Sequence, residues 1–303
     1  MSIKGNINYM LYKILPQNTY LKIAYRNYHK KSLNINNPKL FSEKLFLSKV
    51  INGRGNVEFI RRCYDKYTAR EYVKNIIGEK YLTQIYGLWT DARNIDFSKL
   101  PSKCIFKITQ SSGYNVICLD LEKENKEAIR QKLDKWQKNQ NDKKFTEKVY
   151  KFENYYFDQN CRIMCEELLE FNQSIPEDIR IYCFSGKAQF ITVDYGSVSK
   201  DGVKLRNYYR NVYDVRGNFI DAKFGHENNP DFPFPDLPNL DEMVWVAEKL
   251  AKPFPFVRVD LYNVDGRIVF GELTWIPQGA SGFIYPESFD RELGEKFILE
   301  GKL

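Results

Sequence analysis

Histidine is nearly missing from this chain: His29 and His226 are the only two in 303 residues. That disfavours a histidine-rich zinc site and histidine-centred nucleophilic catalysis. Six cysteines (63, 104, 118, 161, 165 and 183) include no Cys-x-x-Cys pair, and Cys161 and Cys165 are the only close ones. The opening Met1-Ser-Ile-Lys-Gly-Asn6 shows no apolar stretch followed by a small-residue cleavage site. No export signal is read there, so reduced thiols in a cytoplasm are expected. No apolar run approaches the length that spans a bilayer. Internal repeats and low-complexity segments are absent. So are acidic residues between Met1 and Leu40, where seven basic ones stand: Lys4, Lys13, Lys22, Arg26, Lys30, Lys31 and Lys39.

The chemistry must therefore run on carboxylates, lysine, arginine and a metal if one binds. A hydrophobic content of 43% with 28% charge describes a folded globular chain. Its length allows one large domain or two ordinary ones. The net charge of +7 suits an anionic partner: a nucleotide, an acidic sugar polymer or lipid head groups. No nucleic-acid motif is present, so nucleic acid is not an expected partner.

The apolar pattern predicts two short helices in residues 7–31, broken near Pro16. They are read first as packing on their own domain, with a membrane interface as the alternative. A helix from Glu43 to Val50 takes Ser42 as N-cap. Another runs from Asp65 to Ile77 and ends at Gly78. A strand covers Tyr81 to Tyr86. Cys104–Thr109 and Val116–Leu119 form a hairpin around Gln110-Ser-Ser-Gly-Tyr-Asn115. A helix spans Leu121–Asn139, and Arg162–Leu169 is a strand. Ile179–Phe184 and Ala188–Val193 form a second hairpin, and residues 196–238 read as long loops with short strands. A helix at Leu240–Leu250 precedes a third hairpin, and a final helix starts near Ser288. Helices and strands mix without strict alternation, so the class is α+β.

The third hairpin organises the chain. Val257, Val259 and Leu261 alternate with Arg258, Asp260 and Tyr262, and Asn263-Val-Asp-Gly266 is turn chemistry. Arg258 and Asp260 share one face of the first strand, and Glu272 and Thr274 one face of the second. Carboxylates on adjacent strands repel unless a cation lies between them, and oxygen-only ligands beside a phosphate suit Mg2+. Lys107 sits mid-strand just before Ser111, Ser112 and Gly113, whose hydroxyls and N–H groups suit a phosphate. Glu166-Glu167-Leu168 stands at the end of a strand, where carboxylates can meet ribose and backbone groups an adenine edge. Arg180 projects from a sheet toward the same chemistry. Taken singly, each is equally an ordinary surface charge.

In this order the residues resemble the ATP-grasp fold, and within it the TupA-like branch linked to teichuronopeptide and other surface-polysaccharide synthesis. Asn37-Pro-Lys-Leu-Phe-Ser-Glu-Lys44 is similar to that branch's Asn-Pro-Lys-x-Phe-Asn-Glu-Lys signature. Asp65–Val73, Gly78–Leu82, Phe256–Tyr262, Gly271–Thr274 and the Gly279/Ser281/Gly282 region match as well. The resemblance implies ATP and Mg2+ as cofactors. Lys107, Ser111, Ser112 and Gly113 would hold phosphates, Glu166 and Leu168 would flank the adenine, and Glu167 would take the ribose. Asp260, Glu272 and Thr274 would hold the metal, with Arg180 and Arg258 as catalytic groups at the γ-phosphate and acceptor.

The resemblance further implies a basic helical N-terminal extension (1–55), a pre-grasp region (56–100), a small lobe (101–170) and a large lobe with the metal site (171–303). The implied activity is a carboxylate–amine ligase working through an acylphosphate. Its carboxylate would belong to a uronic acid of a capsular or other surface glycan, and its amine to an amino acid or amine. The expected location is the cytoplasm, peripheral at the inner membrane face through the basic N-terminus. Two other readings stay open. The loop Thr109-Gln-Ser-Ser-Gly-Tyr114 has fewer glycines than the family's Asn-His-Gly-Ser-Gly-Gly, and Thr274 stands where many relatives have Asn. These departures suit a catalytically altered nucleotide-binding protein. Paired carboxylates also suit a glycosyltransferase of a surface-glycan pathway.

Overall fold

The computed structural model describes residues 3–301 except 159, 171–175, 198–204 and 206. Five helices come first: α1 (Ile3–Ile14), α2 (Gln17–His29), α3 (Phe41–Ile51), α4 (Val57–Tyr64) and α5 (Ala69–Ile77). Pro16 divides the first two, as its missing N–H and fixed φ dictate. Ser42 is not the cap of α3. The helix starts two residues earlier, at Phe41 behind Leu40, and the Glu43 carboxylate reaches back to the N–H groups of Lys39 (2.8 Å) and Leu40 (3.1 Å). The Ser42 hydroxyl instead donates to Asp290 Oδ2 at 2.6 Å. The single helix expected from Asp65 is also corrected. Asp65 Oδ1 accepts from the N–H groups of Tyr67 and Thr68, making a turn that separates α4 from α5.

A four-stranded antiparallel sheet follows, in the order β1-β4-β2-β3. Its strands are β1 (Ile85–Trp89), β2 (Cys104–Ile108), β3 (Asn115–Cys118) and β4 (Ile163–Glu166). β1 lies later than the strand expected at Tyr81–Tyr86, because Glu79–Tyr81 forms a tight helical turn. It also lies ahead of the boundary drawn at residue 101, yet pairs with β4 within the one sheet. Two helices connect β3 to β4. α6 (Lys126–Asn141) is capped by Asn125, and α7 (Lys143–Tyr150) by Asp142. Asn125 shortens the expected helix at its start, and Asp142 starts a second one the periodicity did not separate. Ile129 and Leu133 of α6 pack with Phe106, Ile108, Cys118 and Ile163 as a core of their own.

The second sheet has six strands, in the order β11-β10-β5-β6-β7-β8. They are β5 (Ile179–Phe184), β6 (Lys187–Tyr195), β7 (Tyr209–Tyr213), β8 (Phe219–Ile220), β10 (Phe256–Val264) and β11 (Arg267–Thr274). β9 (Lys223–Phe224) pairs separately with β12 (Ile284–Tyr285). α8 (Leu240–Ala251) packs on β5, β6 and β10, and α9 (Glu287–Lys296) packs on α3. The β10–β11 turn places Asp265 and Gly266 at φ 52° and 83°, the pair of positive values a two-residue hairpin turn needs.

Phe184 and Phe256 alternate onto the same sheet face as Arg180 and Arg258. There they meet Phe41 and Phe297, with the Phe41 ring 5.3 Å from both strand rings. Gly294 admits the chain here: a Cβ on it would lie 2.1 Å from Lys39 O. The N-terminal helices are thus part of the large core. Tyr20, Leu21, Ala24 and Tyr25 of α2 are buried within it. All six cysteines are buried and unpaired. Among the described residues no helix is long and apolar enough to cross a membrane.

Phe41→Ala empties the meeting point of four rings. Urea denaturation is expected to show a loss of roughly 3–5 kcal/mol, against little change for Phe219→Ala at the exposed sheet edge.

Candidate functional site

The β10–β11 register builds one end of the site. Asp260 stands opposite Glu272 on β11 and opposite Arg180 on β5, and Arg258 opposite Thr274. Gly271 is the extra residue of a bulge that keeps Glu272 on the Asp260 face. A Cβ there would lie 3.0 Å from Asp260 O. Arg258 Nε and Nη2 donate to the two Asp260 oxygens, each at 2.6 Å. Nη2 also donates to Glu272 Oε1 (3.1 Å) and Thr274 Oγ1 (3.0 Å).

The charges continue across the sheet. Arg180 donates to Asp178 Oδ2 at 2.7 Å and to Asp194. Its buried Nε has no hydrogen-bond partner and lies 3.6 Å from Asp260 Oδ2. Arg210 donates Nε and Nη2 to the two oxygens of Asp194, at 2.5 and 2.9 Å.

Burial is the largest influence on Asp260, Glu272 and Asp194, and each resolves differently. Asp260 is 5% exposed. Burial raises it, Arg258 opposes, the Glu272 charge adds, and it is pushed up to about 6. Lys66 and then Arg258 outweigh burial at Glu272 and bring it down to about 2. Glu272 keeps a side-chain exposure of 31% and lies 3.5 Å from Lys66 Nζ. Arg180 and Arg210 outweigh burial at Asp194 and hold it well below its ordinary value.

The smaller sheet supplies the other end. Lys107 Nζ lies 2.5 Å from Glu166 Oε1, and the Thr83 hydroxyl donates to Oε2 at 2.5 Å. Burial raises Glu166, but Lys107 and Thr83 prevail and hold it below its ordinary value. Lys66 Nζ donates to Ser111 O at 2.5 Å, tying the loop after β2 to α4–α5. Gly113 in that loop has φ 76° with nothing near where a Cβ would stand, so conformation and not space selects glycine. Glu167 is held by Arg267 Nη1 and Nη2, at 2.6 and 3.0 Å. Leu168 follows β4 and is half-buried.

Two cavities meet between these ends. One of about 560 Å3 is lined by Lys66, Lys107, Ser112, Gly113, Asp178, Arg180, Asp260, Tyr262 and Glu272. The other, about 470 Å3, runs from Ser111, Ser112, Arg258 and Thr274 past Arg210 and Lys49 to Tyr20 and Tyr28 of α2. Ser112, Arg180 and Glu272 line both. Glu166, Glu167 and Leu168 line neither cavity, and Glu166 touches the cleft only through its ion pair with Lys107.

A strained loop walls the second cavity. Gln278, Gly279 and Ala280 all have positive φ, at 52°, 58° and 51°. Two of the three are not glycine, a conformation that persists only when its surroundings hold it. His29 contributes, its Nε2 lying 2.9 Å from Ala280 O and its ring stacked 4.3 Å from Tyr25.

A family model described as TupA-like ATPgrasp matches residues 47–298. The chain belongs to the TupA-like ATP-grasp family. Its α+β architecture is the ATP-grasp fold. Among solved structures it is similar to the D-alanine–D-alanine ligase of Bacillus anthracis, at 14% identity and TM-score 0.40, over 71% of this chain and 57% of that one. It is also similar to the VanG D-Ala:D-Ser ligase of Enterococcus faecalis, at 14% identity and TM-score 0.46, over 78% of this chain and 60% of that one. The chain thus spans less than two thirds of either ligase. No curated protein matches.

An ATP-grasp site calls for a divalent cation, and the donors present can be tested for it. Asp260 and Glu272 face each other across one strand pair, both line the 560 Å3 cleft, and Glu272 keeps a side-chain exposure of 31%. Among the described residues no third His, Cys, Asp or Glu completes a ligand group. Two carboxylates with oxygens from a phosphate make a Mg2+ site, so the set fits with nucleotide present. Arg258, hydrogen-bonded to Asp260, Glu272 and Thr274, supplies the positive charge there.

Sequence reasoning missed Lys66, Asp178, Asp194 and Arg210. Asp194 carried a signal, standing between Val193 and Tyr195 on its strand as Arg180 stands between Ile179 and Ile181, whereas Arg210, followed by Asn211, carried none. Lys66 carried none, since only the turn at Asp65 aims it at the cleft.

Asp260 gives a pH test. Its folded value, about 6, lies above the ordinary 3.8, so folding takes up a proton between those values. Its charge costs stability above about pH 6, and the cost disappears below 3.8. The stability of Asp260→Asn relative to the native chain, from urea titrations, is expected to rise between pH 4 and 6 and stay flat above.

Proposed function

We propose that this chain is an ATP- and Mg2+-dependent carboxylate–amine ligase. It would activate the carboxylate of a uronic acid in a capsular or other surface polysaccharide and join it to an amino acid or amine. The observation that carries the reading is the junction at Ser112, Arg180 and Glu272, where a cleft with phosphate-type donors opens into a second cavity. A phosphoryl donor in one and an acceptor in the other meet only there.

ATP enters the 560 Å3 cleft with its phosphates toward Lys107, Ser112 and Gly113. Lys107 supplies a point charge, and the loop supplies N–H and hydroxyl donors. Asp260 and Glu272 would hold Mg2+, which when bound neutralises β- and γ-phosphate charge and orients the transfer. Arg180 lines both cavities, so its guanidinium would donate to the γ-phosphoryl oxygens. Arg258 is held by Asp260 and lines the acceptor cavity, so it orients the incoming carboxylate. The carboxylate oxygen attacks phosphorus, the bond to the bridging oxygen breaks, and ADP leaves. The amine then attacks the acyl carbon and expels phosphate. Preorganised positive charge at the transferring group is the main source of rate in such chemistry.

Around this site we place the large lobe at 171–303, the small lobe at 101–170, the pre-grasp region at 56–100 and the basic helices at 1–55. The reading places the enzyme in the cytoplasm, at the inner membrane face.

ADP release in a panel of uronic acids and amines is the test. Asp260→Ala and Glu272→Ala are each expected to lower the substrate-dependent rate by at least ~100-fold, and Lys107→Ala to raise KM for ATP. Full activity in both carboxylate variants contradicts the metal assignment. ATP binding without turnover across the panel supports the altered-binder reading instead.

A further inference from the structure

α1 leaves one face uncovered. Ile7, Met10 and Ile14 are 49%, 54% and 70% exposed. Their i, i+3, i+7 spacing puts them in one narrow stripe. A different side of the helix holds it to the protein. The Tyr9 hydroxyl donates to Glu147 Oε2 at 3.1 Å, and the Tyr12 ring packs edge-on against Phe152 at 4.9 Å and Tyr20 at 5.5 Å. Three large apolar side chains in a row on a docked helix are a feature that solvent alone does not explain.

The charge around this stripe names its partner. Residues 1–40 carry seven basic side chains and no acidic one. Lys13 and Lys31 are paired, with Glu147 and Glu287. Lys22 and Arg26 stand one turn apart on the exposed face of α2 and make no ion pair with a described residue. An exposed apolar stripe on α1 and unneutralised cations on the helix packed against it fit a surface that is both anionic and oily, which is the interface of an anionic bilayer. A protein partner would need an acidic rim, and a second copy of this chain would oppose like charges. Apolar insertion or basic attraction alone anchors weakly, whereas the two together bind usefully.

We propose that the α1–α2 unit docks the protein on an anionic lipid bilayer, with Ile7, Met10 and Ile14 entering the interface and Lys22 and Arg26 meeting head groups. This sharpens the membrane-face location above into named contacts. It does not depend on the ligase reading, since binding to lipid is measured without nucleotide or acceptor. Tyr20 and Tyr28 of the same α2 line the second cavity, so docking would bring a wall of that cavity to the lipid surface.

Cosedimentation of the full chain with phosphatidylglycerol vesicles and with phosphatidylcholine vesicles tests the proposal. At low salt the chain is expected to pellet with the first and not the second, and to be released by 0.5 M NaCl as screening predicts. Met10→Glu with Ile14→Glu is expected to lower the partition coefficient at least ~10-fold. Lys22→Glu with Arg26→Glu, which removes two attractions and adds two repulsions, should lower it by more than the ~5-fold of a single basic residue. These side chains are exposed, so the melting temperature should stay within about 2 °C of the native value in both variants. Failure to bind phosphatidylglycerol, or unchanged binding in either double variant, overturns the proposal. So does a concentration-dependent dimer that Met10→Glu with Ile14→Glu abolishes, which would assign the stripe to self-association.

Discussion

The protein depends on a line of buried charge across one face of its larger sheet. Glu272, Asp260, Arg180, Asp194 and Arg210 follow one another over five strands, with Arg258 and Asp178 beside them. Removing charged groups from water is expensive, and such an arrangement holds only when nearly every group has a partner. Here the pairing is incomplete in a consistent place. Arg180 Nε has no hydrogen-bond partner and lies 3.6 Å from Asp260 Oδ2, and burial, with the Glu272 charge adding, pushes Asp260 up toward neutrality. Both residues line the cleft. The function proposed above uses this form: an arginine beside two carboxylates, one pushed toward neutrality and one held ionised by Lys66 and Arg258.

The remainder of the fold keeps that line rigid. The same sheet face ends in phenylalanine rings covered by α3 and α9, so the charged residues sit on strands locked by an apolar block a few residues away. The smaller sheet has its own core and brings Lys107 over the cleft. The N-terminal helices share the large core, and α2 walls the second cavity with residues that precede the family-matched segment.

Much of this was legible in the sequence, for physical reasons. Strand alternation put Arg258 and Asp260 on one face, and Gly266 marked the turn that places Glu272 opposite. Both follow from the two-residue period of a strand. The α+β class and the third hairpin needed nothing more. Helix boundaries were less readable. Asp65 looked like a helix residue but caps a turn, and Ser42 looked like a cap but bonds across the core to Asp290. A local pattern does not show which distant carboxylate a hydroxyl will find. The same limit hid Lys66, which meets Glu272 only through tertiary packing, and the ion pair that keeps Glu166 beside Lys107.

If the phosphate donors of the small sheet and the carboxylate pair of the large sheet form one nucleotide site, a crystal structure with ADP and Mg2+ will show it. The diphosphate is expected within hydrogen-bond reach of Lys107 and the Ser112–Gly113 loop, with the metal between Asp260 and Glu272 and Arg258 turned away from at least one of them. Nucleotide bound elsewhere, or phosphates in the cleft with Arg258 still closing both carboxylates and no metal between them, would contradict it.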